Sequence, residues 1–276
     1  MAFKTILVHI DSTQRAGERI GIAIDMATSY DAHLIGMAAT GLSGLSYLKG
    51  EHAISLMDLL ASLETNANEA LSKFGDAARK KGARLFEQRL VDEDAGVAIS
   101  FQARYCDLVI IGQTDIEAMS PFVRSDFPAY AVLHCDRPVL IIPYVGKFDT
   151  IGKRIVIAWD ASKEAARAVT AAVPLLQTAE TVKIVIFNPS AERKEHEKEP
   201  GSEIMQYLAR FGIKVDVSVQ VTNLDTGNSL LSYLADCSAD LLVMGAYAHS
   251  RYREIFLGGM TKTILKNMTI PVLLSH

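Results

Sequence analysis

The stretch GAYAHSRYREIFLGGMTK, Gly245 to Lys262, follows the apolar run DLLVMG and leads into a helical pattern expected over Met260–Asn267. Glycines between a strand and a helix are where a chain can offer backbone N–H groups to an anion. Aligned peptide dipoles leave partial positive charge at a helix N-terminus, and glycine permits close approach and positive φ. Gly258 and Gly259 stand in that place, and His249, Arg251 and Arg253 give the loop a basic bias. Thr261 adds a hydroxyl two residues past Gly259. Ala248 is the smallest replacement for glycine, costing about 1–2 kcal/mol if its φ must be positive. The chemistry this pattern points to is retention of a phosphate or another anion. The plainer reading is that Gly245 and Gly258 are an ordinary loop glycine and an ordinary helix-start glycine.

Other chemistry is poorly supplied. There is no H-E-x-x-H, no paired metal spacing, no G-x-S-x-G elbow and no lysine-bearing G-x-x-x-x-G-K-[ST] loop. His9 and His134 are expected to be structural. Cys106, Cys135 and Cys237 are unclustered and expected to be buried or reduced thiols. Asp160 ends a strand-like run before ASKEAARAV, a common position for a helix N-cap. Asp11, in HIDSTQ, is expected to cap its own helix with support from Gln14.

The elements that would carry these residues repeat along the chain. KTILVHID (4–11) matches KRIVIAWD (153–160) at an offset of 149 residues. CDLVIIG (106–112) matches ADLLVMG (239–245), and RPVLIIP (137–143) matches IPVLLSH (270–276), both offset by 133. The order is the same in both halves, which points to tandem duplication. The extra 16 residues of the first half fall at 41–60, and the stretch 41–82 is a candidate lid or partner surface. Short apolar β-branched runs alternate with amphipathic stretches, so each half is expected to be α/β with a parallel sheet covered on both faces. Ligands on such sheets sit at the carboxyl ends of strands where the strand order reverses. Domain boundaries are placed at 1–146 and 152–276, with YVGKFDTIG (144–152) as the linker.

Asp160 at its strand end, together with GAYAHSRYREIFLGG after the fourth strand, resembles the universal stress protein family, and more narrowly its tandem members. The resemblance covers the whole second half and the strand framework of the first. It implies two tandem doubly wound, five-stranded parallel-sheet domains, adenine nucleotide alpha hydrolase-like, packed about a pseudo-two-fold axis by pairing of their last strands. The family's nucleotide motif is glycine, two residues, glycine, nine residues, glycine, then serine or threonine. Gly245 and Gly258 match its first and third glycines, Ala248 replaces the second, and Gly259 replaces the hydroxyl residue. The resemblance also implies a contact from Asp160 to the adenosine end, so for this carboxylate both the cap and the ligand role stand open. Met244, Tyr247, Met260 and Thr261 complete the implied nucleotide site beside those glycines. Phe187 falls where ATP-binding members carry a small branched residue near the adenine; an aromatic there either stacks on the base or fills its pocket.

The first half keeps the loop length but not its chemistry. Gly112 to Pro138 spans 26 positions, as does Gly245 to Pro271. Asp115, Ser125 and Asp126 occupy the second-glycine, third-glycine and hydroxyl positions, and carboxylates facing a polyphosphate repel it. This half is expected not to bind nucleotide.

Composition narrows the function classes. With 49% hydrophobic and 22% charged residues the chain is an ordinary globular protein, and a net charge of −4 gives no bulk attraction to nucleic acid. The longest apolar runs fall far short of the ~20 residues needed to span a bilayer. MAFKTILVHID goes straight into a strand pattern, so the expected location is cytoplasmic. Two functions remain in competition. One is a stress-response regulator whose second half binds ATP or ADP, with Mg²⁺ if a triphosphate, as a switch for an unknown protein partner. The other is a scaffold that binds no nucleotide and acts through its surfaces, and homodimerisation is open in both. A slow ATPase ranks last, because no general base or nucleophile can be named beside the loop.

Overall fold

The computed structural model describes residues 2–41, 53–114, 126–189, 199–247 and 259–276. They fall into two compact units, Ala2–Tyr144 and Val145–His276. The first unit alternates β1 (Thr5–Ile10), α1 (Ala16–Tyr30), β2 (His33–Ala39), α2 (Ala53–Lys80), β3 (Phe86–Val91), α3 (Ala95–Gln102), β4 (Leu108–Gly112), α4 (Phe127–His134) and β5 (Val139–Ile142). Its strand order is β3-β2-β1-β4-β5 with every pairing parallel. The second unit alternates β6 (Arg154–Ala158), α5 (Lys163–Leu176), β7 (Thr181–Phe187), α6 (Ser202–Ala209), β8 (Asp216–Gln220), α7 (Thr226–Asp236), β9 (Leu241–Gly245), α8 (Gly259–Asn267) and β10 (Val272–Ser275). Its order, β8-β7-β6-β9-β10, is the same pattern, again parallel throughout. Two doubly wound α/β sheets of five strands are what the alternation of patterns predicts, and the matched segments of the two halves fall on β1 and β6, β4 and β9, β5 and β10.

Successive residues of the central strands are buried. Ile6, Leu7 and Val8 point alternately to opposite faces, and all three are inaccessible to solvent. That is possible only where helices cover both sides of the sheet, which is why these strands read as unbroken apolar runs. β3 and β8 lie at the ends of their sheets, and their more polar sequences, FEQRLV and DVSVQ, keep partial exposure.

Three local devices fix the frame. Asp107 accepts hydrogen bonds from the N–H groups of Lys4 and Thr5 at 2.7 and 2.9 Å, so it fastens the start of β1 to the start of β4. Asp240 does the same for β6, accepting from the N–H groups of Gly152, Lys153 and Arg154 and from the Thr150 hydroxyl. A second pair of aspartates caps helices: Asp94 accepts from Gly96 and Val97 at the start of α3, and Asp225 from Asn228 at the start of α7. Each cap is followed two residues on by a glycine packed against the next helix. A Cβ on Gly96 would meet Tyr130 of α4, and one on Gly227 would meet Thr263 of α8, both at 2.7 Å. Finally, a Cβ on Gly36 would lie 2.7 Å from Cζ of Phe74, so the glycine in β2 admits the buried Phe74 of α2. Phe74 packs edge-on against Phe86, centroids 6.0 Å apart.

Candidate functional site at the carboxyl edge of β6 and β9

In the second unit the chain winds from β6 to β7 to β8 on one side, then returns to place β9 on the other side of β6. The order reverses between β6 and β9, the point beyond whose carboxyl ends ligands sit on sheets of this kind. Ala158 pairs with Met244, which brings Asp160 and Gly245 to the same end of adjacent strands.

Beyond β6, Oδ1 of Asp160 accepts the Ser162 N–H at 3.0 Å, closing a tight turn in which Ala161 takes a φ of 56°. The cap of α5 is Ser162, whose hydroxyl oxygen accepts the Ala165 N–H at 3.1 Å. The N-cap reading of Asp160 is therefore corrected: the aspartate shapes the turn two residues before the cap. Beyond β9, a Cβ on Gly245 would lie 2.7 Å from the carbonyl carbon of Glu164 and closer still to the Ala165 nitrogen. Gly245 thus lets the first turn of α5 close directly onto the strand end, a demand no side chain could meet. The approach also buries Glu164, 3% exposed, whose Oε1 lies 3.5 Å from Nζ of Lys163.

After β9 the chain turns through Tyr247, which is buried with a φ of 63°. Its N–H donates to the Thr261 hydroxyl oxygen at 3.4 Å, and its ring meets that of His276 edge-on at 6.0 Å. Nδ1 of His276 lies 3.1 Å from the Ala246 carbonyl oxygen. Thr261, the hydroxyl nearest Gly259, is buried and ties α8 to the end of β9. Gly259 is the first residue of α8, one residue earlier than the helical pattern suggests, and a Cβ there would meet nothing within 4 Å among the described residues. Met260 follows it, half-buried. Phe187 ends β7, half-buried and paired with Gln220, one strand away from β6. Ala248 and Gly258 lie outside the described residues, as do His249, Arg251 and Arg253.

The equivalent point of the first unit, between β1 and β4, is built differently. Asp11 sits at the end of β1, where its Oδ1 accepts from both the N–H and the hydroxyl of Thr13. It does not cap α1: the N-cap position is Arg15, with no side-chain cap bond, and Asp11 instead faces Arg19. Nη2 of Arg19 lies 2.8 Å from Oδ2 of Asp11, and its Nε donates to the His9 carbonyl oxygen at 2.8 Å. A Cβ on Gly112 would strike the Arg19 guanidinium, so glycine at the end of β4 makes room for that group. Burial would raise the Asp11 carboxyl; the Arg19 charge, with His9 and the Thr13 hydrogen bonds, outweighs it and holds the group down to about 2. Burial pushes His9 down to about 4, and its ring packs against Phe127 at 4.9 Å. His9 is a neutral structural imidazole at physiological pH. Asp115 and Ser125 lie outside the described residues; Asp126 is described, at the N-cap position of α4. His134 stacks on Tyr130 at 3.9 Å.

Sequence reasoning missed Arg19, because a single arginine on a helix gives no signal without its partner. The Ser162 cap was legible as Ser-x-x at a helix start, but the nearby aspartate competes for that role. Among the described residues no three His, Cys, Asp or Glu side chains are grouped to hold a metal, and no helix is long and apolar enough to cross a membrane.

A chain of two five-stranded, doubly wound parallel sheets, each with a glycine ending its fourth strand beside the reversal point, defines an α/β protein of two units with one topology. Residues 152–276 match the profile of the Universal stress protein family. A universal stress protein of Synechocystis sp. is 36% identical over 66 residues, which amount to 24% of this chain and 22% of that relative's length. Among solved structures, a universal stress protein from Archaeoglobus fulgidus aligns over 98% of this chain and 95% of its own, with a TM-score of 0.74 and 14% identity. A putative universal stress protein from Pseudomonas aeruginosa aligns over 99% and 93%, with a TM-score of 0.63 and 16% identity. At those identities the structures speak for the fold, and they extend it across both halves.

Proposed function

We propose that the protein is a stress-response regulator whose second unit takes an adenine nucleotide, ATP or ADP, or a phosphate, at the carboxyl edge of β6 and β9. Occupancy there switches its interaction with a protein partner. The observation that carries this reading is the first turn of α8. Gly259 presents a helix N-terminus where, among the described residues, nothing lies within 4 Å of an added Cβ, on the same edge as Asp160 and Gly245. A helix N-terminus favours an anion through its dipole and its unbonded N–H groups. Asp160, Phe187, Met244, Gly245, Tyr247 and Met260, with Ala248 and Gly258, are assigned to the adenosine and phosphate ends of this site. Thr261 is assigned to it through the loop it holds.

The two units differ at the reversal point. Arg19 fills the first against Gly112, whereas Ala168 stands in the second at the same distance past its aspartate. The first unit is therefore assigned no ligand. One observation favours the alternative, a scaffold that binds no nucleotide: the buried carboxylate of Glu164 lies on the turn that abuts Gly245, where it opposes an anion.

Calorimetric titration with ATP, ADP and inorganic phosphate, with and without Mg²⁺, decides between them. Micromolar binding that disappears in Gly259→Asp supports the switch. That variant puts a carboxylate at the helix start, where its Cβ meets none of the described residues, so it keeps the fold while repelling the ligand. No heat up to millimolar ligand assigns the protein to the scaffold class.

A further inference from the structure

Lys183 on β7 and Ser218 on β8 lie on one face of the second sheet, since Lys183 pairs with Asp216 and Val185 with Ser218. Cys237, at the C-terminal end of α7, comes to that face from 54 residues away, and Nζ of Lys183 donates to its sulfur at 3.7 Å. Tyr233 lies one turn earlier on α7. Lys183, Tyr233 and Cys237 are all half-buried, so a small solute reaches them. Among the described residues the Lys183 ammonium is paired with the sulfur and with no carboxylate.

The other two cysteines lack this setting. Cys106 and Cys135 are buried, burial pushes both thiols up to about 12, and the Cys106 thiol donates to the Ala103 carbonyl oxygen. They are inert by the ordinary rules of thiol reactivity.

We propose that Lys183 and Cys237 form an oxidative cross-link, in which a hydroperoxide oxidises the thiol and the lysine amine then traps it as a sulfenamide. In the first step the sulfur attacks the near oxygen of the hydroperoxide. An S–O bond forms and the O–O bond breaks, the thiol proton passes to the departing alkoxide, and Cys237 becomes a sulfenic acid. Sulfur is oxidised by two electrons and the peroxide is reduced to an alcohol. In the second step the Lys183 ammonium gives one proton to solvent, and the amine so formed attacks that sulfur. An N–S bond forms, the S–O bond breaks, and hydroxide leaves as water with a proton from nitrogen. Sulfenic acids condense with nearby nitrogen or thiol nucleophiles, and here the nearest is already in contact. The lysine side chain turns about its own four-carbon stem to close the remaining gap, so the backbone need not move.

The product ties β7 to the far end of α7 and closes a loop across α6 and β8, which restricts the unfolded chain. The full-length protein is treated with tert-butyl hydroperoxide, digested without reductant, and mapped by mass spectrometry. The expected product is a pair of joined peptides containing residues 183 and 237, lighter than their sum by two hydrogen atoms and separated again by a thiol reductant. Its formation raises the urea midpoint of the second unit. In Lys183→Arg, which keeps the charge but lacks the amine, the joined peptide is lost completely while Cys237 still oxidises. Three results overturn the proposal: a wild-type Cys237 that goes to sulfinic acid with no link to residue 183, one that pairs with a second thiol, or one that stays reduced.

Discussion

Nη2 of Arg19 stands 2.8 Å from Oδ2 of Asp11, and this ion pair fills the reversal point of the first sheet. Arg19 is buried and Asp11 is half-buried, so the arginine cannot lose its partner cheaply. Removing one member of a buried pair costs about 3–5 kcal/mol, because the other charge is left uncompensated. Arg19→Met is expected to destabilise the first unit by that order. The double variant Arg19→Met with Asp11→Asn recovers much of the loss, as a double-mutant cycle in urea denaturation will show.

The same cluster sets an acid limit. His9 titrates at about 4 in the folded protein against 6.5 when exposed, so between those values the unfolded chain takes a proton the folded one refuses. Stability is therefore complete above pH 6.5 and falls as pH drops towards 4, by about 3 kcal/mol for the full shift. Asp11 adds a second loss between 3.8 and about 2, where its native ion pair is protonated away. In His9→Gln the upper slope flattens and the lower one remains, read as urea midpoints across pH.

Asp240 accepts four hydrogen bonds and Asp107 two, at the equivalent strand starts. Asp240→Ala leaves buried N–H groups of the β6 start without an acceptor, at a cost of about 2–4 kcal/mol, and Asp107→Ala costs roughly half as much. Trp159 is the chain's single tryptophan and lies at the end of β6, so its fluorescence reports the second unit alone. Its denaturation curve shifts with Asp240→Ala and stays in place with Asp107→Ala.

Gly245 and Gly259 answer a one-methyl test in opposite ways. Alanine at 245 drives its methyl into the backbone of α5, forcing helix and strand apart, for a loss of about 1–3 kcal/mol or more. Alanine at 259 meets none of the described residues at the start of a helix and is neutral or stabilising by up to about 1 kcal/mol. Thermal melts of the two single variants check both signs.

The framework of the fold was legible because parallel sheets bury their central strands on both faces, so β1, β4, β5 and their counterparts stand out as apolar runs in repeated order. The reversal point followed from that order, and it drew attention to Asp160 and Gly245. What lay beyond reach was the pairing of residues distant in sequence. Nothing local distinguishes Arg19 from a solvated helix arginine, and only Gly112, bare of a side chain, makes its position possible. The two aspartates that swap roles at helix starts show the same limit. Asp11 and Asp160 stand where caps are common, yet both shape turns upstream, while Asp94 and Asp225 do the capping. The shared Asp-x-Gly of 94–96 and 225–227 was a further match between the halves, and its shortness hid it.

The carboxylate that fastens each central strand has a consequence for how the chain is made. Lys4 donates to an oxygen of Asp107, a residue made 103 positions after it. At ribosomal rates of about 5–20 residues per second, that gap lasts roughly 5–20 s. For that interval the N–H groups of Lys4 and Thr5 lack the acceptor they have in the folded sheet. The middle strand is the oldest part of the sheet, and it is fastened only when the fourth begins.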